Sequence, residues 1–366
     1  MYDVAVVGGG PAGAAAARAA AAAGASTVLL ERADPPRYKR CGGGLLGLAV
    51  DVAGLDVRPY LHDEVTTLTA TLDGRRSWTR RDGTPFLRMV RRDTFDAALL
   101  EAAAAAGAEI RTGVVVTGVE ETQRSARLRL RDRSMPLRAR AVVGADGVAS
   151  RLGAYVGVRP ERVDLGVEGE FPAPPGWTGR ALLDWGPVPG SYGWLFPKGD
   201  QVTVGVIGDK ACADDLRRYY GALVARLGLG APLVEGGHHT RVRADDSPLV
   251  SAGGRVLLAG DAAGLLEPWT REGISFALRS GRIAGELAAA DRTAHYPLVI
   301  QRTLQPEVDA GRRLLRAFER HPAVFHAALA SPPGWREFRR LLSGRTSLAT
   351  LTTRTPVRLA QRLLDD

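Results

Sequence analysis

Hydrophobic and polar positions change period twice within the first thirty residues. Val4-Ala5-Val6-Val7 is a short apolar run rich in β-branched residues, which predicts a buried strand. Gly8-Gly9-Gly10-Pro11-Ala12-Gly13 breaks the run. The Ala-rich stretch 14–23 then predicts a helix, with Gly24 as its stop. Ser26-Thr27-Val28-Leu29-Leu30 predicts a second strand, ending in Glu31. The result is a strand–turn–helix–strand unit with a parallel strand pair.

The same periods organise the rest of the chain. Residues 65–72 alternate, and Asp73-Gly74 after them signals a hairpin. Phe95, Leu99 and Ala103 share one helical face, which Gly107 closes. Short strands are predicted at Glu109-Ile110 and 114–116, then at 127–130 and 137–143, with Asp132-Arg133-Ser134 as the turn between the last two. From Gly157 to Arg243 prolines cluster and apolar runs shorten. This reads as antiparallel strands with one helix near 214–227. Residues 255–264 restore the buried strand, glycine turn and acid of the N-terminus. A helix follows from about 272 to 290, and the remainder is helical, interrupted by prolines. The fold class expected is α/β: a discontinuous Rossmann-like domain from 1–60, 88–156 and 245–300, a β-rich substrate domain from 61–87 and 157–244, and a helical region at 301–366.

The N-terminal turn carries the first chemistry. Gly8, Gly10 and Gly13 fit G-x-G-x-x-G. The first permits the tight turn, the second admits a pyrophosphate to the backbone, and the third lets the helix pack on the strand. The helix N-terminus offers free N–H groups to phosphate. Glu31, about twenty residues on, suits the ribose hydroxyls of an adenosine. Ala12 and Arg32, beside these residues, are counted with them as cofactor contacts. Cys41-Gly42-Gly43-Gly44 follows a Pro-containing polar loop. Three glycines there are expected to serve not packing but a backbone laid flat against something large and planar.

Composition narrows the class. The 366 residues are 45% hydrophobic and 24% charged, ordinary for a soluble globular protein. Cys41 and Cys212 form no disulfide framework and no C-x-x-C pair. No cleavable leader and no apolar run of spanning length stands out, so the cytoplasm is the expected compartment. The net charge is +9, much of it in 301–366. That basic tail suits an anionic membrane surface or a phosphorylated substrate, or is simply a solvated Arg-rich face. No nucleic-acid motif accompanies the charge. His238-His239 has no third ligand at metal spacing and is read as solvated; no metal is expected.

Taken together, Gly8-x-Gly10-x-x-Gly13 with Glu31, Gly144-Ala145-Asp146-Gly147 and Gly260-Asp261-Ala262-Ala263-Gly264 resemble FAD enzymes of the para-hydroxybenzoate hydroxylase-like fold. Cys41-Gly42-Gly43-Gly44 and Tyr192-Gly193-Trp194-Leu195-Phe196-Pro197 narrow the resemblance to the geranylgeranyl reductase family, over residues 1 to about 295. It implies that Cys41, Gly42 and Gly44 lie near the flavin, with Cys41 gating it, contributing a proton or filling space. It further implies that Arg92 reaches the FAD phosphate or ribitol, that Val116 meets the adenine, and that Gly273 and Ile274 touch the ring through their backbone. The residues themselves favour FAD over NAD. One turn serves one adenosine diphosphate, and the second strand-end acid, Asp261, suits ribitol hydroxyls. A helix starting near Gly273 would stabilise the reduced, anionic flavin.

Tyr192, Trp194 and Phe196 alternate, so on a strand they face one side. By resemblance, with Pro197, they wall a prenyl chain. The expected reaction is saturation of isoprenoid C=C bonds by hydride from reduced flavin, with NAD(P)H or a ferredoxin as electron donor. The rivals are an FAD monooxygenase or halogenase acting on an aromatic or polyketide-type substrate, and a flavin-binding protein without turnover. Glu267-Pro268-Trp269-Thr270-Arg271-Glu272-Gly273 departs from the family's Asn-Pro-Phe-Thr-Gly-Glu-Gly. Glu267 and Arg271 are expected to add charge and bulk at the flavin's edge.

Overall fold

The computed structural model describes residues 1–131 and 135–353. The turn expected at Asp132-Arg133-Ser134 lies outside the described residues, as does the end of the basic tail. In chain order the N-terminal elements are β1 (Tyr2–Val7), α1 (Pro11–Ala22), β2 (Thr27–Leu30), β3 (Gly44–Leu45), α2 (Ala49–Val52), β4 (Leu61–Val65), β5 (Thr67–Leu72), β6 (Arg76–Arg81), β7 (Leu87–Val90) and α3 (Arg92–Ala105). Next come β8 (Glu109–Arg111), β9 (Val116–Glu121), β10 (Ala126–Leu130), β11 (Leu137–Gly144) and α4 (Arg151–Val156). The middle of the chain adds β12 (Pro160–Pro172), β13 (Arg180–Trp185), β14 (Tyr192–Lys198), β15 (Gln201–Asp209), α5 (Ala213–Arg226) and β16 (Val234–Arg243). The last part holds β17 (Val256–Leu258), α6 (Ile274–Ala289), α7 (Tyr296–Thr303), α8 (Gln305–Arg320), α9 (Pro322–Ala330), α10 (Pro332–Leu342) and α11 (Leu348–Thr353).

These elements make the expected α/β fold. One sheet runs β8-β2-β1-β11-β10-β9. β1 lies parallel between β2 and β11. The far edge of β11 is shared, antiparallel to β10 along its first half and parallel to β17 along its second. Val4 to Val6, Val28 to Leu30 and Val256 to Leu258 are at most 1% exposed, as strands covered on both faces require. α1 and α6 lie together, and the contact is unusually close. A Cβ on Gly281 would fall 2.0 Å from the Ala12 carbonyl oxygen, and one on Gly285 2.2 Å from that of Ala16. Glycine four residues apart on α6, against alanine on α1, lets the two backbones touch.

The second sheet runs β16-β12-β15-β14-β13-β5-β6 and is antiparallel except where β13 meets β5. Asp73 and Gly74 both take positive φ in the β5–β6 turn, the two-residue geometry the sequence signalled. α5 packs Leu216, Tyr219 and Leu223 on one face of this sheet. The C-terminal helices bring Leu314, Phe318, Trp335 and Phe338 into a cluster with Trp185 and Trp269. A small third sheet, β3-β7-β4, joins the two halves. No described helix is long and apolar enough to cross a membrane. Part of the tail's charge is matched inside the fold: Arg312 pairs with Glu161, Asp245 and Asp309, and Arg339 with Asp82.

Candidate functional site

The glycine turn separates two jobs. Gly8 has φ +105, and a Cβ there would lie 2.3 Å from the Ala145 carbonyl oxygen. A Cβ on Gly13 would lie 1.8 Å from the Gly8 carbonyl oxygen. Both glycines are demanded by close backbone contact. Gly10 is different: its open side meets nothing nearer than Arg37 Nη2 at 3.8 Å. Gly10 is also the N-cap of α1, and no side chain caps the helix. An open cradle thus faces an uncapped helix N-terminus, which is what a pyrophosphate requires. Glu31, buried at the end of β2, accepts hydrogen bonds from the Gly9 and Ala33 backbone N–H groups. Val116 opens β9 nearby, two residues beyond Val114, whose N–H donates to the Glu31 carbonyl.

Arg37 was missed in the sequence and joins two candidates. Its Nε lies 3.8 Å from Glu31, and its Nη2 lies 3.3 Å from Asp96. Arg92 grips the other side of Asp96 with two hydrogen bonds of 2.7 and 3.0 Å. Burial works against the Arg92 charge, but the Asp96 carboxylate more than offsets it and the guanidinium is held protonated. The Cys41 thiol lies beside Arg92. A line of alternating charge therefore runs from Glu31 through Arg37 and Asp96 to Arg92, and the Cys41 side chain lies at its end. Arg32, the neighbour chosen from sequence, is exposed and stands outside it. The available signal was the polar loop's position directly after the acid.

At the second strand end, a single helical turn over Gly260–Ala263 presents Asp261. Among the described residues, nothing donates a hydrogen bond to the Asp261 carboxylate. Burial pushes this carboxyl up, against the pull of Lys39 and Arg92. Gly273 caps α6, which begins at Ile274, and cannot cap it with a side chain; the Glu272 carboxylate accepts from the Ser275 N–H of the first turn instead. A Cβ on Gly273 would sit 3.8 Å from Asp261 Oδ1. Two helix N-termini, on helices that touch, therefore lie beside two strand-end carboxylates, and that of α1 is free of any side-chain cap. These residues fit FAD: a pyrophosphate cradle at one end, and a free acceptor with a positive helix end at the other.

The Cys41 loop corrects one expectation. Its glycines do serve packing. A Cβ on Gly42 would meet the Phe196 ring at 3.0 Å and Trp194 Nε1 at 3.6 Å. Gly43 has φ +78, and its Cβ would collide with the Val90 carbonyl oxygen and with Lys198. The loop lies flat against a planar surface, but the surface includes the protein's own aromatic wall. In that wall Trp194 sits between Tyr192 and Phe196, with ring centroids 5.9 and 6.2 Å away. Pro197 does not join them. Strand alternation turns it, with Gly193 and Leu195, toward the α5 side. Lys198 is buried, donating to the Cys41 carbonyl at 2.9 Å and to Glu170 at 3.1 Å. A cleft of about 240 Å³ opens here, lined by Tyr38, Lys39, Arg91, Arg92, Glu170 and Lys198 among others.

The departures at 267–273 also resolve differently from expectation. Arg271 carries φ +57, the conformation a glycine takes freely, but its side chain is not spread over a ligand edge. It is buried against Asp164 at 3.1 Å and donates to the Trp269 and Gly190 carbonyls. Its guanidinium stacks over Tyr192, 5.6 Å from the ring centroid. Glu267 folds back on its own loop, accepting from the Trp269 and Thr270 N–H groups. His238 is not solvated either. Its Nδ1 is buried without a partner, 4.0 Å from Glu168, and desolvation pushes its pKa down to about 4. The β-ladder places it opposite Gly166.

Residues 1–169 match the family described as FAD binding domain. The geranylgeranyl diphosphate reductase of the Oryza sativa chloroplast is 30% identical over 346 residues, covering 87% of this chain and 71% of that one. A geranylgeranyl bacteriochlorophyll reductase-like protein from Thermoplasma acidophilum superposes with a TM-score of 0.84 at 23% identity, over 99% of both chains. A flavin-dependent brominase shares the fold, with a TM-score of 0.75 at 19% identity over 99% of each chain. An uncapped glycine turn, an acid at each of two strand ends, and a relative this similar over most of its length place the chain in the geranylgeranyl reductase family of FAD-dependent oxidoreductases.

Proposed function

We propose that this FAD-dependent oxidoreductase saturates isolated C=C bonds of a polyprenyl chain. The FAD would be held without a covalent bond. Gly8, Gly10 and Gly13, with Ala12 at the start of α1, receive the pyrophosphate; Glu31 receives the ribose and Val116 borders the adenine. Asp261 receives the ribitol, the Gly273–Ile274 backbone meets the ring, and Arg92 lends positive charge nearby. Once reduced, FAD supplies hydride. The protein's own part is to bind, to exclude water and to place a proton. In this reading 1–60, 88–156 and 245–300 hold the cofactor, and 61–87 with 157–244 hold the substrate. The electron donor, NAD(P)H or a ferredoxin, visits transiently.

The observation that carries the reading is the contact between Gly42 and the wall of Trp194 and Phe196. It sets an aromatic surface against the Cys41 loop, beside Arg92. An isoprenoid chain gains from such a surface by burial, at roughly 25 cal/mol per Å². The halogenase reading needs a lysine free to react; Lys198 instead commits its ammonium to Glu170 and the Cys41 carbonyl. The test is to reduce the flavin-loaded protein with dithionite, add geranylgeraniol and follow product mass. Gain of two hydrogens per double bond supports the reading. No gain, with oxygen consumed alongside NAD(P)H and an aromatic substrate, refutes it.

Asp261→Ala is expected to weaken FAD binding tenfold to a hundredfold. A charge-assisted hydrogen bond contributes about 1.5–3 kcal/mol, and nothing among the described residues competes for this carboxylate. Flavin-fluorescence titration of the apoprotein measures it. Unchanged affinity would leave Asp261 with no role in holding the cofactor.

A further inference from the structure

One face of the second sheet holds a buried acid that neither the glycine turn nor the aromatic wall uses. In the ladder, Trp194 on β14 stands opposite Gly205 on β15, Gly205 opposite Glu168 on β12, and Glu168 opposite Gly236 on β16. Glu168 is thus flanked on both sides by glycines. The Trp194 ring fills the space above one: a Cβ on Gly205 would lie 2.4 Å from Trp194 Cζ2 and 2.8 Å from the Glu168 Cβ. The Arg40 guanidinium covers the other, 2.5 Å from where a Gly236 Cβ would be. Glu168 projects between them, 1% exposed.

Neither carboxyl oxygen of Glu168 has a hydrogen-bond partner. Trp194 Nε1 and His238 Nδ1, its neighbours on the same face, have none either. Arg40 Nε, over Gly236, is unpartnered too. Orphaned polar groups gathered on one sheet face are costly, at about 1–3 kcal/mol each, and they call for a reason. Glu170, two residues along the strand, shows what a structural acid looks like here: it is bonded to both Lys198 and Thr203. We propose that Glu168 is the proton donor of the alkene reduction, poised unpaired behind the aromatic wall; this rests on the prenyl reading above.

The step balances. The Glu168 carboxyl gives its O–H proton to one alkene carbon while the other receives hydride, whose two electrons are those the reduced FAD supplies. The C=C π bond is replaced by two C–H bonds. Glu168 is left as a carboxylate until water reprotonates it. Its environment suits an acid that works at neutral pH. Desolvation pushes its pKa up to about 7, with Glu170 adding to the rise and Lys198, Lys39 and Arg40 opposing it. Tyr38 also faces this region, and His238, pushed down to about 4, brings no charge at neutral pH.

The test compares wild type with Glu168→Gln and Glu168→Asp, each flavin-loaded, dithionite-reduced and given geranylgeraniol. Infrared spectra of the same proteins are recorded through neutral pH. Glu168→Gln should retain FAD and slow saturation by roughly a hundredfold or more. Glu168→Asp should recover part of the rate. A protonated-carboxyl band in wild type should titrate near pH 7 and be missing from Glu168→Gln. Equal rates for Glu168→Gln and wild type would overturn the assignment while leaving the prenyl reading intact. Absence of the band at acidic pH would overturn it as well. If wild type saturates no prenyl chain, the prenyl reading falls and the assignment falls with it.

Discussion

Arg271→Ala is expected to destabilise the protein by about 3–5 kcal/mol, the usual cost of removing one partner of a buried ion pair. Three groups lose their donor: Asp164 and the carbonyls of Trp269 and Gly190. Asp164 is 1% exposed, so water does not substitute readily. Arg162 still reaches Asp164 at 2.8 Å, which keeps the loss finite. Tyr192 loses the cation stacked on its ring. Arg271→Gly should be the milder change. Alanine inherits the strain of φ +57, whereas glycine does not, a difference of roughly 1 kcal/mol. Thermal melts should therefore rank wild type above Arg271→Gly, and Arg271→Gly above Arg271→Ala. A melt in which alanine equals wild type would show the ion pair to be idle.

Trp194→Ala is the second large change, again about 3–5 kcal/mol. By resemblance the indole was expected to wall a prenyl chain. In the structure it is also packed within the protein itself. Trp194 is 4% exposed, packed between Tyr192 and Phe196 and seated over Gly205. Its loss opens a cavity that glycine on either strand cannot fill. Trp194→Phe keeps an aromatic ring and deletes an indole N–H that has no partner. It should lose less than half as much. Comparing the two variants by melting separates ring packing from the N–H. Similar losses in both would mean that the orphaned N–H matters more than the ring. Loss of stability in Trp194→Ala also means that substrate affinity must be measured well below its melting temperature.

Local features were legible. The strand–turn–helix–strand of residues 2–30 and the Asp73-Gly74 hairpin depend on neighbours in sequence, and the period of apolar residues reports them directly. The acids at 31 and 261 were legible because each ends a buried strand. What escaped depends on partners far along the chain. Arg37 meets Asp96 as well as nearby Glu31, and Arg271 meets Asp164 and Gly190 as well as its own loop. Glu168 carried no signal, and His238 read as solvated, until the ladder sets them opposite Gly205 and Gly166. Gly42 and Gly43 announced a special backbone, but not the rings and the lysine that demand it. A residue's period tells which way it faces; it carries no word of what it will meet.

The glycine crossing of α1 and α6 bears on how the chain is made. The cradle for the pyrophosphate begins at Gly8, yet the helix that braces it contributes Gly281 and Gly285, more than 260 residues later. During synthesis the first βα unit emerges early and waits. Its buried Ala12 and Ala16 lack the cover of α6 until Gly281 and Gly285 leave the ribosome. Contacts of such sequence separation are entropically late to close. The cofactor site is therefore closed by residues translated long after its glycine signature.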